Sequence, residues 1–150
     1  MKKLVGIVIL GLLLSGNAFG QSMVSLKTYV EKNKNDENYL DYIFYRCSAA
    51  YTYAGRSTKD KQIQNEIILV ASSIHIYRAK VLMKTMGLTI DSAFKRVDDH
   101  ITLIHQLYIN DGYEYHAKTG DYLAPYIKED LLVCRELLEP VMKDILKHTK

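Results

Sequence analysis

Apolar residues recur in this chain at alternating spacings of three and four, and they do so in four successive stretches. Leu40, Ile43, Cys47, Ala50 and Ala54 make the first series, and Ile63, Ile67, Val70, Ile74, Tyr77 and Val81 the second. Phe94, Val97, Ile101, Ile104 and Tyr108 follow, then Ile127, Leu131, Cys134, Leu138, Val141 and Ile145. This rhythm stacks side chains along one face of an α-helix, whereas a half-buried strand needs a period of two. No period-two pattern persists. Four helices with one apolar stripe each must bury those stripes against one another, so the expected fold is all-α, an antiparallel four-helix bundle over residues 37–150. A short helix carrying Leu26, Tyr29 and Val30 is expected ahead of it, within an N-terminal segment 21–36 that ends in a turn at Asn33 to Asp36.

The punctuation fits four helices. Gly55 is expected to close the first in a left-handed conformation, and Ser57 with Asp60 has the spacing of a capping box opening the second. Gly87 should end the second helix and Thr89 cap the third, with Asp91 in the first turn where the helix dipole favours a carboxylate. The third helix has two candidate ends, one at Asn110-Asp111-Gly112 and one near Lys118, before Gly120. Pro125 suits the first turn of the fourth helix, and Pro140 within it removes a hydrogen bond, so a kink is expected there. The short links require consecutive helices to run antiparallel.

Residues 1–20 have a separate logic. Lys2 and Lys3 precede an apolar run from Leu4 to Leu14, a polar break at Ser15-Gly16-Asn17, and Ala18-Phe19-Gly20. This resembles a bacterial secretory signal peptide, with cleavage after Gly20. As a helix the apolar run reaches only about 16 Å, against about 30 Å of bilayer hydrocarbon, so no stable membrane anchor is expected after cleavage. A periplasmic or secreted location follows. The whole chain carries 20 basic and 17 acidic side chains; loss of Lys2 and Lys3 leaves 18 against 17. A net charge near +1 generates no field to hold a phosphate backbone, so no nucleic-acid partner is expected.

Export also decides the expectation for the two cysteines. Cys47 and Cys134 lie on the inward stripes of the first and last helices, which an up-down-up-down bundle makes antiparallel neighbours. Their distances from the shared end of the bundle, roughly 12 and 13.5 Å at 1.5 Å per residue, nearly match. In an oxidising compartment the pair is expected to form a disulfide. There is no CxxC or CxxCH motif. Arg46 and Arg135, each beside a cysteine, turn off the stripe and are expected to pair with carboxylates at its edge.

Reactive constellations are sparse. None of His75, His100, His105, His116 and His148 has a second histidine three or four residues away, the spacing that aims two ligands at one metal from a helix. Asp98 and His105 share a face at seven residues' spacing and are expected to flank the third stripe. Ser72 or Ser73 beside His75, and Asp99 beside His100, lie in helix interiors without the exposed sharp turn that often presents a nucleophile. Aligning Asn110-Asp111-Gly112 with a calcium loop puts Leu107 where an acidic ligand is required. No catalytic residue, metal site or cofactor is assigned, and the chain is not expected to be an enzyme.

Aromatic usage is one-sided, with 12 tyrosines, three phenylalanines and no tryptophan. Tyr39, Tyr42, Tyr45, Tyr51 and Tyr53 are expected to border the core. Tyr113, Tyr115, Tyr122 and Tyr126, with His116, cluster in a polar stretch beside Asp111, Glu114 and Asp121. A tyrosine pairs a large apolar face with a hydrogen-bonding tip, so this second cluster is the candidate binding surface. The leading expectation is an exported non-enzymatic binding module for a protein partner in the cell envelope, similar in size and compartment to chaperones, inhibitors and immunity-type proteins. The alternative is a carrier of a small ligand or haem-type cofactor, with His105 as its natural ligand; an enzyme of another kind comes third.

Overall fold

Each apolar series becomes a helix in the computed structural model, which describes residues 23–36 and 38–147. The helices are α1 Leu26–Lys32, α2 Tyr39–Ser57, α3 Lys61–Met86, α4 Ile90–Thr119 and α5 Pro125–Lys147, and no strand occurs among the described residues. Helices α2 to α5 form the four-helix bundle, with α2 packed against each of the others and α1 lying across α5 and α2. The signal-like residues 1–20 and the cleavage point after Gly20 lie outside the described residues. Among those described, no helix is long and apolar enough to cross a membrane.

Two apolar clusters fill the bundle. One gathers Tyr45, Ala49, Tyr53, Leu82, Val97, Ile104, Tyr108 and Ile127. The other surrounds the Cys47–Cys134 disulfide with Leu26, Ile43, Ile74, Leu138 and Ile145. The two cysteines are fully buried, their Cα atoms 5.4 Å apart, so the expected staple between the first and last bundle helices is present. Two stripe members depart from expectation: Leu40 is 62% exposed and Ile63 47%. Both stand in the first turn of their helices, beyond the layer their neighbours cover. Along α3 the buried line is Ala71, Ile74, Arg78 and Leu82, so Val81 yields its place to Leu82.

Several helix ends follow the sequence. Gly87 and Gly120 are left-handed, and the Thr89 hydroxyl accepts the Ser92 amide with Asp91 in the first turn. Two do not. The N-cap of α3 is Asp60, whose carboxylate accepts the Gln62 and Ile63 amides at 2.9 and 3.1 Å; Ser57 is still helical and donates to the Tyr53 carbonyl. Gly55 is also interior to α2, where a Cβ would stand 2.9 Å from the Ile68 side chain. Its role is the close approach of α2 to α3, not chain reversal. Of the two candidate ends for α4, the longer one is adopted.

That longer α4 carries Gly112 into the core. A Cβ there would fall 1.6 Å from the Tyr53 hydroxyl. The missing side chain lets the Tyr53 ring cross α4, and its hydroxyl donates to the Tyr122 carbonyl at 2.8 Å. One glycine therefore fixes where the α4–α5 connection sits relative to the end of α2.

Candidate functional site

A buried ion pair joins the helices in the interior of the bundle. Arg46 is not at the edge of the stripe, as expected from sequence, but is 1% exposed, and its carboxylate partner Asp130 is fully buried. The guanidinium donates to Asp130 Oδ2 from Nε at 3.0 Å and Nη2 at 2.6 Å, and the Tyr108 hydroxyl donates to the same oxygen at 2.6 Å. Oδ1 accepts the Leu26 amide at 2.6 Å, and Arg46 Nη1 donates to the Tyr42 hydroxyl at 3.0 Å. Four helices thus meet on one carboxylate and its arginine. Burial works against the Arg46 charge, but Tyr108, Asp130 and Tyr42 outweigh it and hold its pKa above the ordinary arginine value. Burial, then Asp130, pushes the Tyr108 phenol well above its usual range.

The predicted tyrosine surface divides in two. Tyr113 is 62% and Tyr122 36% exposed; their rings meet edge to face with centroids 5.9 Å apart. His116 lies flat on Tyr122 at 3.8 Å. Tyr115 and Tyr126 instead turn inward. Tyr115 packs half-buried on the core, while Tyr126 stacks over Tyr108 and donates to Asp111 Oδ2 at 2.5 Å. The split between Tyr113 and Tyr115 follows from about 100° per residue, which places neighbours two apart on nearly opposite sides of a helix.

Behind the exposed rings, Tyr53, Arg56, Ser57, His105, Ile109, Tyr113 and Tyr122 line a cleft of about 380 Å³. It opens where the last turn of α2 meets the second half of α4. His105 stands edge-on to Tyr53 at 6.4 Å, with Nε2 enclosed and without a hydrogen-bond partner among the described residues. Burial, reinforced by the nearby Arg56 charge, lowers the His105 pKa. Arg56 is exposed and forms no ion pair among the described residues. The chain matches no protein-family model, no curated protein and no solved structure. Its site is therefore read from its own geometry.

The remaining reactive residues are dispersed. Ser73 donates to the Leu69 carbonyl, Ser72 is exposed to solvent, and His75 sits 3.4 Å from Asp98. His100 pairs with the Arg96 carbonyl and stacks on Tyr45. No group of three metal-ligating side chains comes together among the described residues. Arg135 shares a groove of about 330 Å³ with Tyr51, Glu66 and Glu139 and makes no ion pair among the described residues, where the sequence led to an edge pairing. Sequence reasoning singled out neither Arg56 nor Asp130. Arg56 carried a faint signal, since Asp60, the carboxylate four residues on, is engaged in capping α3.

Proposed function

We propose that this chain is an exported, non-enzymatic binding module that docks a protein partner through Tyr113, His116 and Tyr122. The observation that carries the reading is the pair of exposed rings of Tyr113 and Tyr122, packed edge to face, with the half-buried His116 ring stacked on Tyr122. Tyrosine rings supply contact area at low conformational cost, and interface cores are enriched in them. The Tyr53 hydroxyl holds the Tyr122 backbone carbonyl, which fixes the chain that carries the Tyr122 ring and lowers the ordering required on binding. The signal-like N-terminus and the buried disulfide support placement in the periplasm or outside the cell. A second reading, carriage of a small organic ligand, is favoured by the cleft behind the rings.

The test is affinity capture from an envelope fraction by the mature, oxidised protein beside its Tyr113→Ala/Tyr122→Ala variant. Tyr115 is left in place because it packs on the core. The expected result is a partner retained by the wild type and lost by a variant whose thermal unfolding is unchanged. Equal capture by the folded variant would remove this surface from the account.

A further inference from the structure

The charges around the cleft are unevenly matched. Asp121, in the adjoining groove, is paired with Lys128 at 2.7 Å, and Asp60 caps α3. On the basic side of the cleft Arg56 makes no ion pair among the described residues, and Lys59 is exposed in the adjoining groove that shares Ser57 and Tyr122 with the cleft. His105 lines the wall with its Nε2 enclosed, and burial and Arg56 both disfavour its charged form. What remains is Arg56, without an ion pair among the described residues, lining a space of about 380 Å³ together with Tyr53, Tyr113 and Tyr122.

We infer that this cleft recognises a carboxylate carried close to an aromatic ring. The guanidinium offers a planar fork of donors that matches a carboxylate in two-point contact, which an ammonium cannot reproduce. The exposed tyrosine rings receive the ligand's ring in offset or edge-on geometry. A ring with one short acid arm fits this volume, near the lower end of the range for small-molecule sites. The inference rests on the binding reading above and names the chemistry that surface selects. Two sources present that chemistry: a free aromatic acid, and the terminal carboxylate of a protein ending in an aromatic residue.

Phenylacetate, phenylacetamide and a short peptide ending in a free phenylalanine carboxylate are the probes. Each is titrated into the mature, oxidised protein while the ring signals of His105, Tyr113 and Tyr122 are followed by NMR. The expected result is saturable movement of those signals with phenylacetate, about tenfold weaker with phenylacetamide, since a hydrogen bond to a charged group contributes at least that factor. Arg56→Gln, at an exposed position, should erase the difference between acid and amide without moving the His75 signals. Tighter binding of the peptide than of phenylacetate assigns the site to a partner's C-terminus; the reverse assigns it to a free acid. Equal response to acid and amide, an unaltered response in Arg56→Gln, or no movement at millimolar probe overturns the inference. A chain that captures no protein yet binds phenylacetate through Arg56 loses the protein-docking reading and keeps this one.

Discussion

Arg46 and Asp130 meet in the interior of the bundle, 84 residues apart in sequence, with side chains 1% and 0% exposed. Taking two charges out of water costs several kcal/mol per ion, and mutual attraction offsets this only when the remaining polar atoms are also satisfied. Here they are largely satisfied. Both Asp130 oxygens have partners, and the guanidinium is shared between Asp130, Tyr108 and Tyr42. Since α1, α2, α4 and α5 each supply a group, the pair sets how these helices register.

Breaking the pair on one side should be costly. Asp130→Asn keeps the shape but leaves Arg46 uncompensated, and about 3–5 kcal/mol of stability should be lost in urea unfolding. The double variant Arg46→Met/Asp130→Leu removes both buried charges and should lose clearly less than the single one. A double variant no more stable than Asp130→Asn would contradict this account of the pair.

The disulfide acts on the unfolded chain. Cys47 and Cys134 close a separation of 87 residues. On the chain-entropy model, reduction or the Cys47→Ala/Cys134→Ala variant should lower stability by about 4–5 kcal/mol. Urea midpoints measured with and without reductant check the figure, and two free thiols in the mature oxidised protein would exclude the bond.

Gly112 is predicted to be intolerant of even one methyl group. Gly112→Ala must displace the Tyr53 hydroxyl, and overpacking of this kind costs about 1–3 kcal/mol. Adding Tyr53→Ala should remove most of the penalty, a coupling that a double-mutant cycle measures directly. Purely additive losses would place the strain elsewhere.

Acid should weaken the fold through two histidines. Burial lowers the pKa of His75, partly opposed by Asp98, and burial and Arg56 lower that of His105. In the unfolded chain both protonate near the ordinary value of 6.5, before they do so in the folded protein. The unfolded state then holds more protons, so stability is complete above that pH and is lost as pH falls toward the folded-state values. Urea midpoints should decline over this window, and His75→Gln/His105→Gln should flatten the decline. A midpoint that rises on acidification would contradict the sign.

The fold was largely legible because its stripes are long and its two cysteines sit on them at matching heights. What sequence hid was tertiary in origin. Asp130 falls three residues after Ile127 and four before Cys134, squarely on the buried line of α5. A lone carboxylate there reads as a solvated residue until Arg46 arrives from another helix. Gly112 read as one candidate end of α4 because no local rule announces the Tyr53 ring crossing it. Tyr113 and Tyr115 could not be assigned to opposite sides while the end of α4 was open between two positions. Arg56 gained meaning only when α4 and the α4–α5 connection closed a cleft around it.

Site-specific photo-crosslinking in the cells that make the protein tests the docking surface most directly. A photoreactive phenylalanine analogue replaces Tyr113 in one strain and Leu132 in another; both positions are exposed, at 62% and 52%, on different helices. The account predicts a discrete protein adduct from position 113, none from position 132, and loss of the adduct when Tyr122→Ala is added. No adduct at 113, or the same adduct from both positions, would contradict a binding surface built on Tyr113, His116 and Tyr122.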